Sequence, residues 1–500
     1  MTDKRLYLAV AACALVVHLG ALWNRYAVDD VYIVALNPVV QQPGTFWRAF
    51  LQPYWPGNLA GTLYRPLVVV TFALDRLVDG AAWFHAVNLL WHAGASVGVA
   101  ALTRRWAGAA GAAVAGVLFA VHPAHVEAAA TLVGRSDLMA AVFTLLAVYA
   151  AVERGSVGWS AAALGAGLLS KEGAVVIPAL IVWAWAAGVA PLPSRRKLAW
   201  YAASWGSVAV VYAVLRWMAL RGSAGLDLVA PVFADQGPVG VRLTAISAFA
   251  DVVRLLLFPL HLSADYSPNE RTAVRSVLDG RFLLGLLCLA GWGLLVTLAW
   301  RRRRRIEAFG LGWIGIAYLP VANLLFPIGV LIAERTLYLP SVGLAVAAGA
   351  ACRDLPAKRV AAVAGILLAL GGVRSALRVP AWRDNRSVSL RLLEDAPKSY
   401  HAWDYTGWAL LWAGKTERAL DAFLTAGRIY PWDARVHLAA ADAAFSLGRN
   451  RLADSLLAQA DRICRPCAGP YRGQAEAARQ RGAQAAADSL LARARKLEAP

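Results

Sequence analysis

Charge is scarce in this chain. Only 16% of its 500 residues are charged, 59% are hydrophobic, and the mean hydropathy is +0.52. So small a charged share excludes a water-soluble globule and leaves an all-α polytopic membrane protein. Acidic residues are scarcer than basic ones, 31 against 50, for a net charge of +19. The excess is not spread over a binding face. It clusters in short loops at Arg104-Arg105, Arg195-Arg196-Lys197, Arg301 to Arg305, and Arg353 with Lys358-Arg359, where it sets orientation against an anionic leaflet and excludes nucleic acid as its partner. There are five cysteines. Cys13, Cys288 and Cys352 fall in apolar runs and read as small core residues. Cys464 and Cys467 form one Cys-x-x-Cys, which without a second pair does not specify a metal site and reads as a local disulfide or two idle thiols. No small-residue cleavage site precedes Asn24, so Leu6 to Trp23, after Lys4-Arg5, is expected to be a retained span and not a cleaved signal peptide.

Apolar runs are abundant. Candidate spans are Leu6 to Trp23, Trp83 to Thr103, Trp106 to Val121, Leu138 to Val152, Val157 to Leu169, Ala174 to Ala190, Leu198 to Leu220, Phe282 to Trp300, Ile306 to Phe326, Leu337 to Cys352 and Val360 to Val379, eleven in all. Tyr64 to Val78 and Val241 to Leu262 carry internal charges and are expected to lie along the membrane surface. With those two left out, every basic cluster falls on the side of the N-terminus. The positive-inside rule then makes the N-terminus cytoplasmic and puts residues 24–82, 122–137, 221–280, 327–336 and the C-terminal domain outside.

Residues 1–380 form the expected membrane domain and 381–397 a linker, after which residues 398–500 repeat. Gly414, Gly448 and Gly482 are 34 apart, as are Ala419, Ala453 and Ala487, and Ala453 to Ala458 reappears as Ala487 to Ala492. A 34-residue helical period around a turn glycine is the tetratricopeptide signature, in about three repeats. Its tryptophans, Trp403, Trp408, Trp412 and Trp432, read mostly as packing between helices, with one or two available to line a groove.

Chemistry-bearing residues fall in the external segments. Asp29-Asp30 directly follows the first span, and a carboxylate pair at the hydrocarbon boundary reads as functional when it faces water or a partner. His122, His125 and Glu127 could offer a divalent metal two imidazoles and a carboxylate, or simply form a hydrogen-bonded network. Lys171 and Arg335 sit at the external boundary against the charge rule. Each is explained by a salt bridge to its neighbour, Glu172 or Glu334, or by the phosphate of a lipid-linked substrate.

Val28-Asp29-Asp30, Tyr64-Arg-Pro-Leu67, His85-x-x-Asn88-Leu-Leu-x-His92, His122-Pro-x-His125-x-Glu127-Ala, Gly134-Arg-x-Asp137-Leu, Leu169-Ser-Lys-Glu172, Asp265-Tyr-Ser267 and Ala333-Glu-Arg-x-Leu-Tyr-Leu-Pro340 occur in this order. Together they resemble the transmembrane and tetratricopeptide-repeat-containing O-mannosyltransferases, and in particular bacterial relatives in the GT-C class of glycosyltransferases. The resemblance covers residues 1 to about 345 and is joined by the C-terminal repeats. It implies a GT-C-like bundle of about eleven spans, set in a bacterial inner membrane with the repeats periplasmic. It also implies inverting transfer of a sugar, mannose first, from a polyprenyl-phosphate donor to an acceptor hydroxyl on a protein or envelope glycan.

Since a lipid phosphate leaves as a stable anion, one base suffices. Asp30 or Asp29 is expected to be that base, and Arg335, then Lys171, the phosphate clamp. His122, His125, Glu127, Arg65, Glu334 and Tyr338 are expected to position the sugar or the acceptor, with no cofactor required unless the metal reading holds. The repeats would dock the acceptor. A non-catalytic scaffold displaying the repeats and a lipid-sugar flippase are the competing readings. A flippase would want its charged or broken-helix positions near the bilayer midplane.

Overall fold

The computed structural model describes residues 2–56, 61–221, 229–463 and 468–498. Cys464 and Cys467 therefore lie outside the described residues. The protein is all-helical, with no strand among the described residues. Each predicted apolar run carries a helix, and six helices are long and apolar enough to cross a membrane: Asp3–Trp23, Ala81–Ala120, Arg135–Val152, Arg195–Leu220, Gly280–Arg301 and Ala357–Trp382. Within Arg195–Leu220 and Gly280–Arg301 only 11% and 17% of the most apolar window is buried inside the protein. Leu283, Leu284, Leu287, Leu294 and Leu295 face outward, a continuous apolar surface that lipid must cover. The molecule is thus a multi-pass membrane protein. Other runs are shorter: Val157–Ser170, Arg305–Tyr318 and Tyr338–Ala351 have 14 residues each, a rise of roughly 21 Å.

The runs Trp83 to Thr103 and Trp106 to Val121 form one 40-residue element, Ala81–Ala120, broken at Gly108 (φ +70°, ψ −173°). A residue without Cβ adopts that backbone readily. The chain folds back there so tightly that a Cβ added at Gly116 would meet the Ala100 Cβ at 2.9 Å. Close backbone approach also joins this hairpin to its neighbours. A Cβ on Gly111 would lie 2.8 Å from the Gly349 carbonyl oxygen, and one on Gly343 2.2 Å from that of Gly310. Small residues let membrane helices approach to backbone contact. Here they bring Ala81–Ala120, Tyr338–Ala351 and Arg305–Tyr318 together.

The segments expected to lie along the surface contain the helices Pro66–Asp75, Pro238–Ser247 and Phe249–Leu257. The expected linker is itself a helix, Asn385–Asp395, N-capped where the Asp384 carboxylate accepts the Ser387 N–H at 2.8 Å. After it come three helix pairs: Tyr400–Trp412 with Thr416–Ile429, Ala434–Ser446 with Asn450–Ile463, and Ala468–Gln480 with Gln484–Glu498. Their first helices start at residues 400, 434 and 468, each 34 apart. The turns carry Gly414, Gly448 and Gly482 at φ +72°, +71° and +76°, a left-handed helix end that favours glycine. Trp412 and Trp432 are exposed, whereas Trp408 packs edge-on against Phe423 with ring centres 5.6 Å apart. Cys13, Cys288 and Cys352 are half-buried free thiols, and Cys13 packs against the apolar cluster that includes Leu6, Val10 and Ala14.

Candidate functional site

Asp29 and Asp30 are adjacent in sequence and point to different places. Asp30 is fully buried. Its Oδ1 accepts the Val133 N–H at 2.9 Å and its Oδ2 the Ala27 N–H at 3.4 Å. It ties the loop after the first span to the segment leading into Gly134-Arg135-Ser136-Asp137. Burial pushes its pKa up to about 7 against the lowering effect of these N–H groups, with a smaller upward push from Asp29. Asp29 is only partly covered. Burial raises its pKa as well, opposed first by Arg335 and then by Arg65, so both cations lie within electrostatic reach of its carboxylate. The turn that carries the chain into the two acids runs through Val28 at φ +50°, a region a β-branched residue enters only when its surroundings hold it there.

Arg335 lies in the 3-10 turn Glu334–Leu337, where Glu127 grips it twice. Oε1 of Glu127 lies 3.1 Å from the guanidinium, and Oε2 accepts the Arg335 backbone N–H at 2.9 Å. After Glu127, Asp29 is the next acid acting on Arg335, followed by Asp137. Lys171 donates to Asp137 at 2.5 Å. Arg65 donates to Glu172 at 3.0 Å and lies over the Tyr54 ring at 5.2 Å. The Tyr64 N–H also donates to Glu172, at 3.1 Å. Arg65, Lys171 and Arg335 thus share one charged cluster with Asp29, Glu127, Asp137 and Glu172. A partly exposed carboxylate near cations held by other acids can accept a proton beside a bound anion.

The expected bridges between sequence neighbours, Lys171 with Glu172 and Arg335 with Glu334, do not form. Lys171 is extended (φ −161°, ψ 139°), and successive side chains on extended backbone point to opposite sides. Glu334 turns inward and is fully buried. Its Oε1 accepts the Ser263 N–H at 2.6 Å and the Tyr266 hydroxyl at 3.0 Å. Burial raises its pKa to about 8 despite the Arg378 charge nearby.

The His122, His125 and Glu127 metal trio is not assembled either. His122 Nε2 donates to the Leu256 carbonyl at 3.0 Å, and its Nδ1 accepts the Ala124 N–H at 3.3 Å. His125 Nδ1 donates to the Phe119 carbonyl at 2.9 Å, and its Nε2 lies 2.7 Å from Ser341 Oγ. All four ring nitrogens have protein partners, Glu127 belongs to Arg335, and no group of three or more metal-binding side chains converges among the described residues. Tyr338 is buried behind them, its hydroxyl 2.8 Å from His92 Nδ1.

Several contributors escaped the sequence reading. Asp137 and Glu172 stood inside quoted motifs without roles as partners of Lys171 and Arg65. Arg135 is completely buried, paired with Asp75, donating to Asn88 Oδ1 at 2.6 Å and to the Phe84 carbonyl at 2.8 Å. It anchors the wall behind the site, and a charged residue beside Asp137 was the available signal. Asn385 accepts the Val28 N–H at 2.6 Å from 357 residues away, and nothing local announced it.

No family model matches the chain. Its curated homologues are protein O-mannosyl-transferases. Among them, protein O-mannosyl-transferase TMTC3 of Mus musculus is 25% identical over 490 residues, covering 89% of this chain and 53% of the relative. TMTC4 of Homo sapiens is 27% identical over 463 residues, covering 78% and 62%. Tmtc3 of Drosophila melanogaster is 25% identical, covering 86% and 56%. The chain spans about half to just over three fifths of the length of these relatives. Among solved structures it is similar to ArnT from Cupriavidus metallidurans bound to undecaprenyl phosphate, 17% identical, covering 93% of this chain and 80% of that one, with a TM-score of 0.43. A likeness at that level carries no argument about mechanism.

Proposed function

We propose that this protein is an integral-membrane glycosyltransferase of GT-C type. It moves a sugar, mannose first, from a polyprenyl-phosphate carrier to an acceptor hydroxyl on a protein or envelope glycan, at the external face of a bacterial inner membrane. The observation that carries this reading is the division of labour in the acid pair. Asp30 is fully buried and spent on backbone N–H groups, while Asp29 is partly exposed within electrostatic reach of Arg335 and Arg65, which Glu127 and Glu172 hold. The homologues' names supply the sugar and the class of acceptor.

Asp29 takes the proton from the acceptor hydroxyl as its oxygen bonds to the anomeric carbon from the face opposite the phosphate. The bond from that carbon to the phosphate oxygen breaks, and the lipid phosphate leaves with the electron pair, inverting the centre. Arg335 meets the charge that develops on the leaving oxygen, and Lys171 and Arg65 keep the surrounding field positive. No acid need protonate so stable a leaving group. A raised carboxylate pKa suits a base that works near neutrality, where such groups contribute on the order of 10² to 10⁴ in rate. Glu127 holds Arg335 in place. His122, His125 and Tyr338 pack the wall behind, and the 34-residue repeats, read as tetratricopeptide repeats, offer a surface for the acceptor.

The test is incubation of purified full-length protein in lipid with a panel of polyprenyl-phosphate sugars, scoring release of lipid phosphate. Release by wild type and its loss in Asp29→Asn with folding intact is the expected result. Equal release by wild type and Asp29→Asn removes Asp29 as the base.

A further inference from the structure

A second basic cluster stands apart from the one above. Where the first span ends, Arg25 runs beside the start of the linker helix, its backbone N–H donating to the Arg383 carbonyl at 2.7 Å. Between these two strands of chain opens a pocket of about 410 Å³ lined by Arg25, Arg383, Asp384, Arg386, Ser387 and Leu390. All three arginines are exposed. None has an ion-pair or hydrogen-bond partner for its guanidinium among the described residues. The one carboxylate in the lining, Asp384, is turned onto the helix N-terminus, where it accepts the Ser387 N–H at 2.8 Å. Three guanidiniums therefore share a pocket with no free counter-ion, in a chain whose other basic clusters lie in loops on the opposite side of the predicted topology.

We infer that this pocket binds the phosphate group of an anionic phospholipid, with Arg25, Arg383 and Arg386 as its ligands. Guanidiniums grip phosphate oxygens through paired, charge-assisted hydrogen bonds, and three of them suit one phosphate. A membrane lipid fits better than a soluble anion because the apolar Leu390 side chain, 55% exposed, forms part of the lining, and the exposed Trp23 closes the first span two residues before Arg25. Apolar and basic side chains side by side at a span end match the boundary between headgroup and acyl chain. One wall of the pocket is the loop that carries Asp29 and the other is the linker helix, so a bound headgroup holds the two together.

The experiment uses the full-length protein in three settings: phosphatidylcholine nanodiscs, the same nanodiscs with phosphatidylglycerol, and detergent with inorganic phosphate. Lipid retention is read by native mass spectrometry, and backbone protection of residues 383–390 by hydrogen exchange. Wild type is expected to retain phosphatidylglycerol over phosphatidylcholine and to gain protection with it. The combined variant R25Q/R383Q/R386Q is expected to lose that preference by roughly tenfold, the size of one charge-assisted contact. The single variants Arg383→Gln and Arg386→Gln, which leave the fold's internal bonds untouched, are each expected to weaken it. Equal retention by wild type and all three variants overturns the site. Full protection by inorganic phosphate without lipid overturns the assignment to a headgroup.

Discussion

Asn385 accepts the backbone N–H of Val28 at 2.6 Å, so the first residue of the linker helix holds the turn that leads into Asp29 and Asp30. The Val28 backbone sits at φ +50°, a conformation that costs of order 1–3 kcal/mol and persists only where its surroundings enforce it. Val28 also packs in one apolar cluster with Tyr405 from the first repeat helix and Trp382 from the end of the preceding span. The C-terminal region is therefore part of what shapes the loop of the proposed base.

Asn385→Ala removes the acceptor for Val28 and is expected to lower lipid-phosphate release at least tenfold while costing about 1 kcal/mol of stability. Release assays beside thermal unfolding of the same preparations check it. Unchanged release would mean that the turn holds itself.

The two acids are expected to fail differently. Asp29→Asn abolishes transfer with little change in unfolding temperature. Asp30→Ala leaves buried N–H groups of Val133 and Ala27 without an acceptor, at about 1–3 kcal/mol each, and shows first as poor stability and expression. Parallel melting curves and activity per folded molecule separate the two outcomes.

Arg335→Ala strips Glu127 of its partner and the leaving phosphate of its cation, so transfer is expected to be lost together with stability. Arg335→Lys keeps the charge but not the paired geometry. It is expected to retain part of the stability with release reduced by a larger factor. Equal loss in both would mean that the guanidinium plane matters no more for chemistry than for folding.

The repeats attach through a titratable contact. His401 Nδ1 lies 3.1 Å from Asp265 Oδ1, and the Ser399 hydroxyl donates to the other oxygen of the same carboxylate. The Tyr400 N–H donates to the Pro268 carbonyl at 2.9 Å alongside them. Asp265 raises the His401 pKa against the effect of burial, with Asp404 adding and Arg435 opposing. The pKa of Asp265 falls to about 2, with burial opposing the charge of His401 and the hydrogen bonds it accepts. For the histidine, raised above 6.5, the stabilisation is complete below that value and is lost as pH climbs through the folded pKa. For the aspartate, lowered from 3.8, it is present above 3.8 and lost as pH falls toward about 2. The contact is expected to be firmest between about pH 4 and 6.5, with hydrogen exchange at residues 398–405 rising at alkaline pH. His401→Ala is expected to flatten that rise.

Arg135→Ala tests the wall behind the site. It leaves Asp75 and the Phe84 carbonyl without their buried donor and is expected to cost about 3–5 kcal/mol, read as failure to accumulate folded protein without any selective effect on donor binding.

Much of the architecture could be read directly from the chain. An apolar run must become a helix in lipid because no other backbone arrangement satisfies its own polar groups, so each predicted run carries one. Glycines spaced by 34 announced the helix pairs because only a residue tolerant of positive φ ends those helices cheaply. Local pattern also drew attention to Asp29, Asp30, Lys171 and Arg335, since charge beside long apolar runs needs a partner. It did not supply the partners. Lys171 chose Asp137 over its neighbour Glu172, and Arg335 chose Glu127 over Glu334, because adjacent side chains diverge and pairing is decided by which helices pack together. Which acid is partly exposed and which is buried, and that Asn385 holds the turn leading into them, follow from contacts across hundreds of residues. Composition and spacing determined what kind of chain this is and which residues carry charge beside its apolar runs. The direction in which each of those residues points was decided by the tertiary packing alone.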